Sequence, residues 1–302
     1  MQTLKVKKDT KLDLFLKDAL GISRKQAKSK IDAGLLKVNG KKVIIASWEL
    51  EAGDKVDLLQ DEKETLNHDE AKNYYLKVVH EDEDLLVVEK DAGLLSEAHP
   101  RSLKPALPQI VYEYLKRTHP ELSHPFVLPI HRLDQHTSGL MVYGKSKRAN
   151  ALLTEFKTHN IHRRYQALVE GRVSKSQGRI DAPLLKTPQA KGAKMQVSTG
   201  PLAQKAITDY RVIHRYPKHT LLEVDLKTGR THQIRAHLSY LGFPVVGDPL
   251  YGKNKNPSST KAIGLHASEL GFRHPASGKK LLFRSKLPKH FRKWVDQKIG
   301  QV

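Results

Sequence analysis

The chain has 302 residues, enough for two domains with a sizeable core. Its 53 Lys and Arg outnumber 32 Asp and Glu, and the resulting +21 charge attracts polyanions, nucleic acid foremost, unless it is only a soluble basic surface. Cysteine is absent, which excludes disulfides, thiolate nucleophiles and cysteine-ligated metals and fits a reducing, cytoplasmic compartment. No signal-peptide pattern and no apolar run near ~18 residues stands in the sequence, so neither secretion nor membrane spanning is expected.

The first segment reads as a small domain over residues 1–59. "KLDLFLKDAL" puts Leu12, Phe15, Leu16, Ala19 and Leu20 on one helical face. Ser23 followed by Gln26 predicts a capping box for a second helix, which buries Ala27 and Ile31 and stops near Gly34. "LLKVNGKKVII" predicts two strands around an Asn39-Gly40 turn, and Gly53-Asp54 makes another turn before "KVDLL". Residues 60–73 are polar and without apolar periodicity, which predicts a linker.

Residues 74–302 form the second domain. Strands are expected at "YLKVVH", "LLVVEK", "GLMVYGK", "RYQALVEG", "AITDYRVIH" and "LLEVDL", and helices starting near Ala106, Ser146, Thr231 and Pro288. The fold class is α+β, mixed, with a largely antiparallel sheet and the small domain in front of it. No internal repeat is evident.

The second helix of the small domain carries Arg24, Lys25, Lys28 and Lys30, and Lys37, Lys41 and Lys42 surround the hairpin. Such a surface can track phosphates, although a solvated helix face gives the same pattern. The ordered series "LDLFL", "ISRKQAKSKIDAGLLKVNGKKV" and "GDKVDL", residues 11–58, resembles the alpha-L RNA-binding motif, the domain named after ribosomal protein S-four. The resemblance implies binding of structured RNA through Ser23, Arg24, Lys25, Lys28 and Asn39.

"HRLDQHTSGL", residues 131–140, sets one acid among bases: Asp134 is the only carboxylate between Glu121 and Glu155. An ionised carboxylate there would serve as nucleophile or base and would make a poor proton donor. Glycoside hydrolysis by a carboxylate pair lacks its second acid nearby. No histidine cluster has metal-ligand spacing, so no metal is expected. A turn cap, with the Asp134 carboxylate on the amides of His136 or Thr137, is the plain structural alternative.

A second base-rich stretch, "DLKTGRTHQIRAHLSYLGFPVVGDPLYG", runs from 225 to 252 and has no acid between Asp225 and Asp248. Gly229 can turn the chain out of a strand, Thr231 can cap the following helix, and Arg230 sits at the junction where free amides also meet an anion. The two stretches together predict one site holding an anion and one functional acid. A phosphate-binding surface without catalysis remains open at this point.

"HRLDQHTSGLMVYGKS", "RRYQALVEG", the 225–252 stretch and "LHASELGFRHP" occur in the order of the RluA family of pseudouridine synthases, over about residues 75–290. The resemblance implies isomerisation of uridine to its carbon-linked isomer in RNA without a cofactor. It makes Asp134 the nucleophile, attacking the anomeric carbon of the sugar or carbon 6 of the ring. It makes Arg230 the partner of Asp134, and Tyr165 the residue that packs on the base and assists proton removal. Arg132 fills the gap left by the flipped-out uridine. His131, Thr137, His232, Gln233 and Arg235 become substrate or RNA contacts.

The first family motif usually reads like "KPAGLLVHP"; here it is "EKDAGLLSEAHP", with Asp91 in place of the common proline and Ser96-Glu97 inserted before "AHP". Large-subunit ribosomal RNA is the expected substrate, with transfer RNA second, and the expected state is a monomer. Two other classes are weighed against this enzyme. A ribosome-assembly binder would need none of Asp134, Tyr165 and Arg230, and a nucleoside glycosidase would need neither the small domain nor the +21 charge.

Overall fold

A computed structural model describes residues 2–32, 34–59, 71–98, 104–158, 161–189, 192–252 and 262–296. Two compact units divide the chain, one over Met1–Tyr74 with Ala98–Pro105, the other over Tyr75–Glu97 and Ala106–Val302. Most of the expected linker, residues 60–70, lies outside the described residues.

The small unit contains β1 (Gln2–Lys5), β2 (Thr10–Lys11), α1 (Leu12–Leu20), α2 (Arg24–Asp32), β3 (Leu36–Val38), β4 (Lys41–Lys42), β5 (Glu49–Leu50) and β6 (Lys55–Leu58). Its sheet runs β1-β6-β3-β4, and β2 pairs with β5. Leu12 and Leu16 of α1 and Ala27 and Ile31 of α2 close on Leu36, Val38 and Val56 of the sheet, whereas Ala19 is exposed. The capping box forms: the Gln26 amide donates to Ser23 Oγ at 3.2 Å, and Gln26 Oε1 accepts from the Ser23 amide at 2.8 Å. Asn39 and Gly40 both take positive φ, 48° and 80°, the pair a tight hairpin requires.

The large unit is an α+β structure. Its strands are β7 (Lys77–Glu81), β8 (Leu85–Lys90), β9 (Leu128–Pro129), β10 (Ser138–Gly144), β11 (His162–Glu170), β12 (Gln177–Asp181), β13 (Leu184–Gln189), β14 (Gly192–Val197), β15 (Ile207–Arg215), β16 (His219–Leu226), β17 (Leu265–Arg273) and β18 (Lys280–Arg284). Its helices are α3 (Leu107–Thr118), α4 (Asn150–Lys157), α5 (Gln233–Tyr240) and α6 (Lys289–Asp296). The main sheet runs β12-β15-β16-β11-β17-β10-β8-β7, with β18 on β17 and β9 on β10; β13 and β14 form a separate hairpin. Pairing is antiparallel except between β10 and β17, where Ser138 faces His266 and Gly139 faces Ala267. Gly139 has φ 120°, and a Cβ there would collide with the Ala267 backbone, so the "TSG" turn docks only with glycine.

One core layer lies under the β8–β10 half of the sheet, where Leu85, Val87, Leu140 and Val142 pack on Leu152 and Phe156 of α4. No helix among the described residues is long and apolar enough to cross a membrane.

Candidate active site

A turn, a strand and a helix converge on one cleft. The turn before β10 brings Asp134, β11 brings Arg163 and Tyr165 on the same strand face, and α5 with the segment before it brings Arg230, His232 and Arg235. Arg132 and Thr137 also line it.

The plain turn-cap alternative for Asp134 does not hold. Its backbone carbonyl accepts from the Thr137 amide at 3.0 Å, while its carboxylate Oδ2 accepts from Arg235 Nη1 at 2.8 Å. Arg235 is buried on a helix whose first six residues, Gln233 to Leu238, are all buried. Its Nε and Nη2 donate to the two oxygens of Asp248 at 2.7 and 2.9 Å, and its guanidinium lies 5.1 Å from the Tyr251 ring centroid. Asp248 Oδ1 also accepts from the amides of Leu250 and Tyr251. Burial alone would push Asp248 up; Arg235 and the two amides hold it below the usual carboxylate range instead. Burial likewise acts to lower Arg235, and the two carboxylates outweigh it and keep the guanidinium charged.

This geometry corrects the sequence reading of Arg230. It was expected to pair with Asp134, but its Nε donates to the Lys205 carbonyl at 3.1 Å and its amide to Gln233 Oε1 at 2.9 Å. Arg230 precedes the helix and stays at the mouth of the cleft, whereas Arg235 sits one helical turn inside. The helix also starts differently than expected: its N-cap is His232, with φ 51°, and no side chain caps it, so Thr231 does not serve there.

His131 and Gln233 are not placed to touch RNA. The His131 ring stacks on Phe156, 4.6 Å between centroids, and its Nε2 accepts from the Val142 amide. Burial, reinforced by Arg163, pulls its pKa down to about 3, so it is a neutral core residue. The Gln233 amide donates to Ile207 O and Thr208 Oγ1 and accepts from Thr228 Oγ1 and the Arg230 amide, fastening α5 to β15 and to the chain leaving β16. Thr137 is buried, and its hydroxyl has no hydrogen-bond partner in the structure. Arg132 is exposed and bonded to Glu97 at 2.7 Å.

Tyr165 is buried at the cleft, and burial raises its phenol to about 12. The hydroxyl therefore stays protonated at neutral pH. Arg163, two residues earlier, was missed from the sequence, although period-two geometry puts any β11 residue two places from Tyr165 on the same face. Lys90 was missed as well. It is wholly buried at the end of β8 and donates to the carbonyls of Asp91, Leu94 and Gln135, tying the divergent loop to the turn that carries Asp134.

In the small unit, Ser23, Arg24, Lys25 and Lys28 are exposed along the start of α2. Arg24 Nε donates to Asp13 at 2.7 Å. Asn39 is exposed at the hairpin, and its side chain donates to Asp54 at 2.7 Å and accepts from the Lys55 amide at 2.9 Å, locking two turns together.

Comparison with known proteins decides the family. A model described as "RNA pseudouridylate synthase" matches residues 84–240, just over half the chain, and one described as "S4 domain" matches residues 10–56. The chain belongs to the RNA pseudouridylate synthase family. Among relatives of this synthase, an "uncharacterized RNA pseudouridine synthase" of Aquifex aeolicus (strain VF5) is 33% identical, covering 96% of this chain and 95% of the relative. "Ribosomal large subunit pseudouridine synthase D" of Zymomonas mobilis is 36% identical, covering 73% of this chain and 72% of the relative. The solved "Human RNA Pseudouridylate Synthase Domain Containing 4" superposes with a TM-score of 0.59 at 26% identity, covering 72% of the synthase and 90% of the human chain. The synthase is thus an isomerase acting on RNA, and the glycosidase and pure-binder classes fall away. Among the described residues, no group of three or more His, Asp or Glu side chains is placed to hold a metal ion.

Proposed function

We propose that the synthase isomerises uridine in large-subunit ribosomal RNA, with Asp134 as the nucleophile. The observation that carries this reading is the Asp134 carboxylate held at 2.8 Å by a buried arginine in a cleft shared with Tyr165. An oriented carboxylate can attack only if the nucleotide leaves the helix, because the sugar carbon is screened by stacked neighbours. Asp134 Oδ attacks the anomeric carbon, the glycosidic bond breaks, and its electron pair leaves with the uracil. The base turns, its carbon 5 bonds to the anomeric carbon, and Asp134 departs as a carboxylate. Arg235 aims the carboxylate before attack and stabilises it on departure.

Tyr165 offers a ring face to the uracil within the cleft, and its protonated phenol donates rather than accepts. Arg132, on the rim, fills the space vacated by the flipped nucleotide through its planar guanidinium. Arg24, Lys25 and Lys28 add phosphate contacts through the small unit. Ribosomal RNA of the large subunit is favoured because a relative at 36% identity carries that substrate in its name.

The test is to map pseudouridines in total RNA with and without the gene, and after restoring it with Asp134→Asn. Sites in large-subunit ribosomal RNA should vanish on deletion and stay absent with the variant. Loss confined to transfer RNA would reassign the substrate, and restoration by the variant would remove Asp134 as nucleophile.

A further inference from the structure

His232 and Asn39 are the non-glycine residues with positive φ among those described. Asn39 lies in a hairpin turn where that conformation is at home. His232 lies in the cleft, at φ 51°, where a left-handed backbone is retained only if the surroundings fix the side chain. They do. Its Nδ1 is 3.3 Å from the Tyr251 hydroxyl, with the two rings edge to face at 5.8 Å. That hydroxyl accepts from the Met195 amide at 2.9 Å and donates its single proton to the Met195 carbonyl at 3.1 Å. With the tyrosine proton engaged, Nδ1 must be the donor, and the lone pair falls on Nε2. Nε2 is 3.9 Å from Asp134 Oδ2.

We propose that His232 is the base that removes the carbon-5 proton, through Nε2, in the reaction assigned to this cleft above, and the proposal rests on that reading. Once carbon 5 has bonded to the sugar it carries both the new bond and its hydrogen. Nε2 takes the proton. The carbon–hydrogen electron pair becomes the double bond between carbons 5 and 6, and the pair between carbon 6 and nitrogen 1 moves to nitrogen 1. Nitrogen 1 then takes a proton from water, and the imidazolium returns its own to water, so no net proton is gained or lost. Asp134 has just been released as a carboxylate beside the ring, where it stabilises the imidazolium as it forms.

The charged groups acting on the ring are Asp134, Arg235, Asp248 and Arg132. Burial is the largest influence and, with the two arginines, favours the neutral imidazole, so the base form is present before the reaction. The other candidate is disfavoured: the Tyr165 phenol, raised to about 12, is a poor proton acceptor.

The test uses the full chain and an unmodified large-subunit ribosomal RNA transcript, made once with ordinary uridine and once with uridine deuterated at carbon 5. Asparagine accepts the left-handed backbone, so His232→Asn keeps the local fold. Single-turnover conversion should slow by at least about 100-fold while RNA affinity stays within about threefold. The deuterium effect should rise sharply, because proton removal becomes the slow step. His232→Gln is judged by the same criteria if the first variant does not bind RNA. Conversion within threefold of the unaltered chain, or a slow reaction with an unchanged deuterium effect, overturns the proposal. If the unaltered chain makes no pseudouridine in this RNA while Asp134→Asn binds it equally well, the reading of the cleft fails, and His232 falls with it.

Discussion

The Arg132 guanidinium rests on the Glu97 carboxylate, 2.7 Å away, at the rim of the cleft. Glu97 belongs to the loop that departs from the usual family pattern, and its carboxylate engages the group proposed to enter the RNA. The two side chains are about 60% exposed, so their attraction is weak, about 0–1 kcal/mol. RNA binding has to displace it. Glu97→Gln should therefore tighten RNA binding by up to about fivefold and leave saturated turnover nearly unchanged. The gain should disappear in an Arg132→Ala background. Filter binding of both single variants and the double variant reads this, and a weaker complex with Glu97→Gln would mean that Glu97 itself holds the RNA.

Asp134 and Asp248 share one arginine but not equally. Asp248 takes two of its donors and two backbone amides, whereas Asp134 takes one donor. Asp134→Asn leaves Arg235 compensated and should cost less than about 1 kcal/mol of stability while abolishing isomerisation. Asp248→Asn removes the principal counter-charge of a buried cation and should cost about 3–5 kcal/mol. Urea unfolding of the two variants side by side measures the asymmetry. Equal losses would show that the guanidinium does not depend on Asp248.

The correction from Arg230 to Arg235 has a kinetic counterpart. Arg235→Lys keeps the charge but cannot bridge two carboxylates with its fork, and should lose at least about tenfold in single-turnover rate; Arg235→Met should lose far more. Arg230→Met should reduce RNA affinity modestly and leave the rate at saturation within a fewfold. If Arg230→Met instead abolishes the rate with RNA affinity intact, Arg230 and not Arg235 is the working partner of Asp134.

The site was legible in part. "HRLD" led to the cleft where Asp134 meets a buried arginine, because a lone acid in a basic run finds a cation whatever the fold. It did not identify which cation, because the junction argument favoured the residue nearest the strand end. A packing argument would have done better: Arg235 lies between Ile234 and Ala236, with Leu238 beyond, and every residue from Gln233 to Leu238 is buried. A buried arginine requires acids, and Asp248 was the next acid along the chain. Strand β17, "LHASELGFR", was seen only as a motif, since a central strand buried almost throughout shows no alternation. The hairpin of β13 and β14 escaped because Pro188 stands inside β13, where a proline argues against a strand, and because it pairs with no strand of the main sheet. His131 was carried over as an RNA contact with the motif around it, and its position in the core, stacked on Phe156, shows only in the packing.

Lys90 gives a prediction in pH. Burial pulls its pKa down from 10.5 to about 7, against the pull of Asp134 and Asp91, which favour the charged form. Between about pH 7 and 10.5 the unfolded chain therefore binds a proton at this lysine that the folded chain does not. Stability rises with pH wherever the unfolded state holds more protons, so this group's contribution grows as pH rises through that window and is lost as pH falls back toward 7. The slope is about 1.4 kcal/mol per pH unit for one proton. Lys90→Met removes the titration and should flatten stability against pH by that amount between pH 7.5 and 9.5. The same substitution removes the amine that joins the 91–94 loop to the Asp134 turn through the Asp91, Leu94 and Gln135 carbonyls, so it should also slow isomerisation at every pH. Urea unfolding at several pH values measures the first effect and single-turnover rates the second. A variant whose stability follows the same pH slope as the unaltered chain would mean that the three carbonyls keep the ammonium charged throughout, and that Lys90 is a permanent cationic strut beneath Asp134.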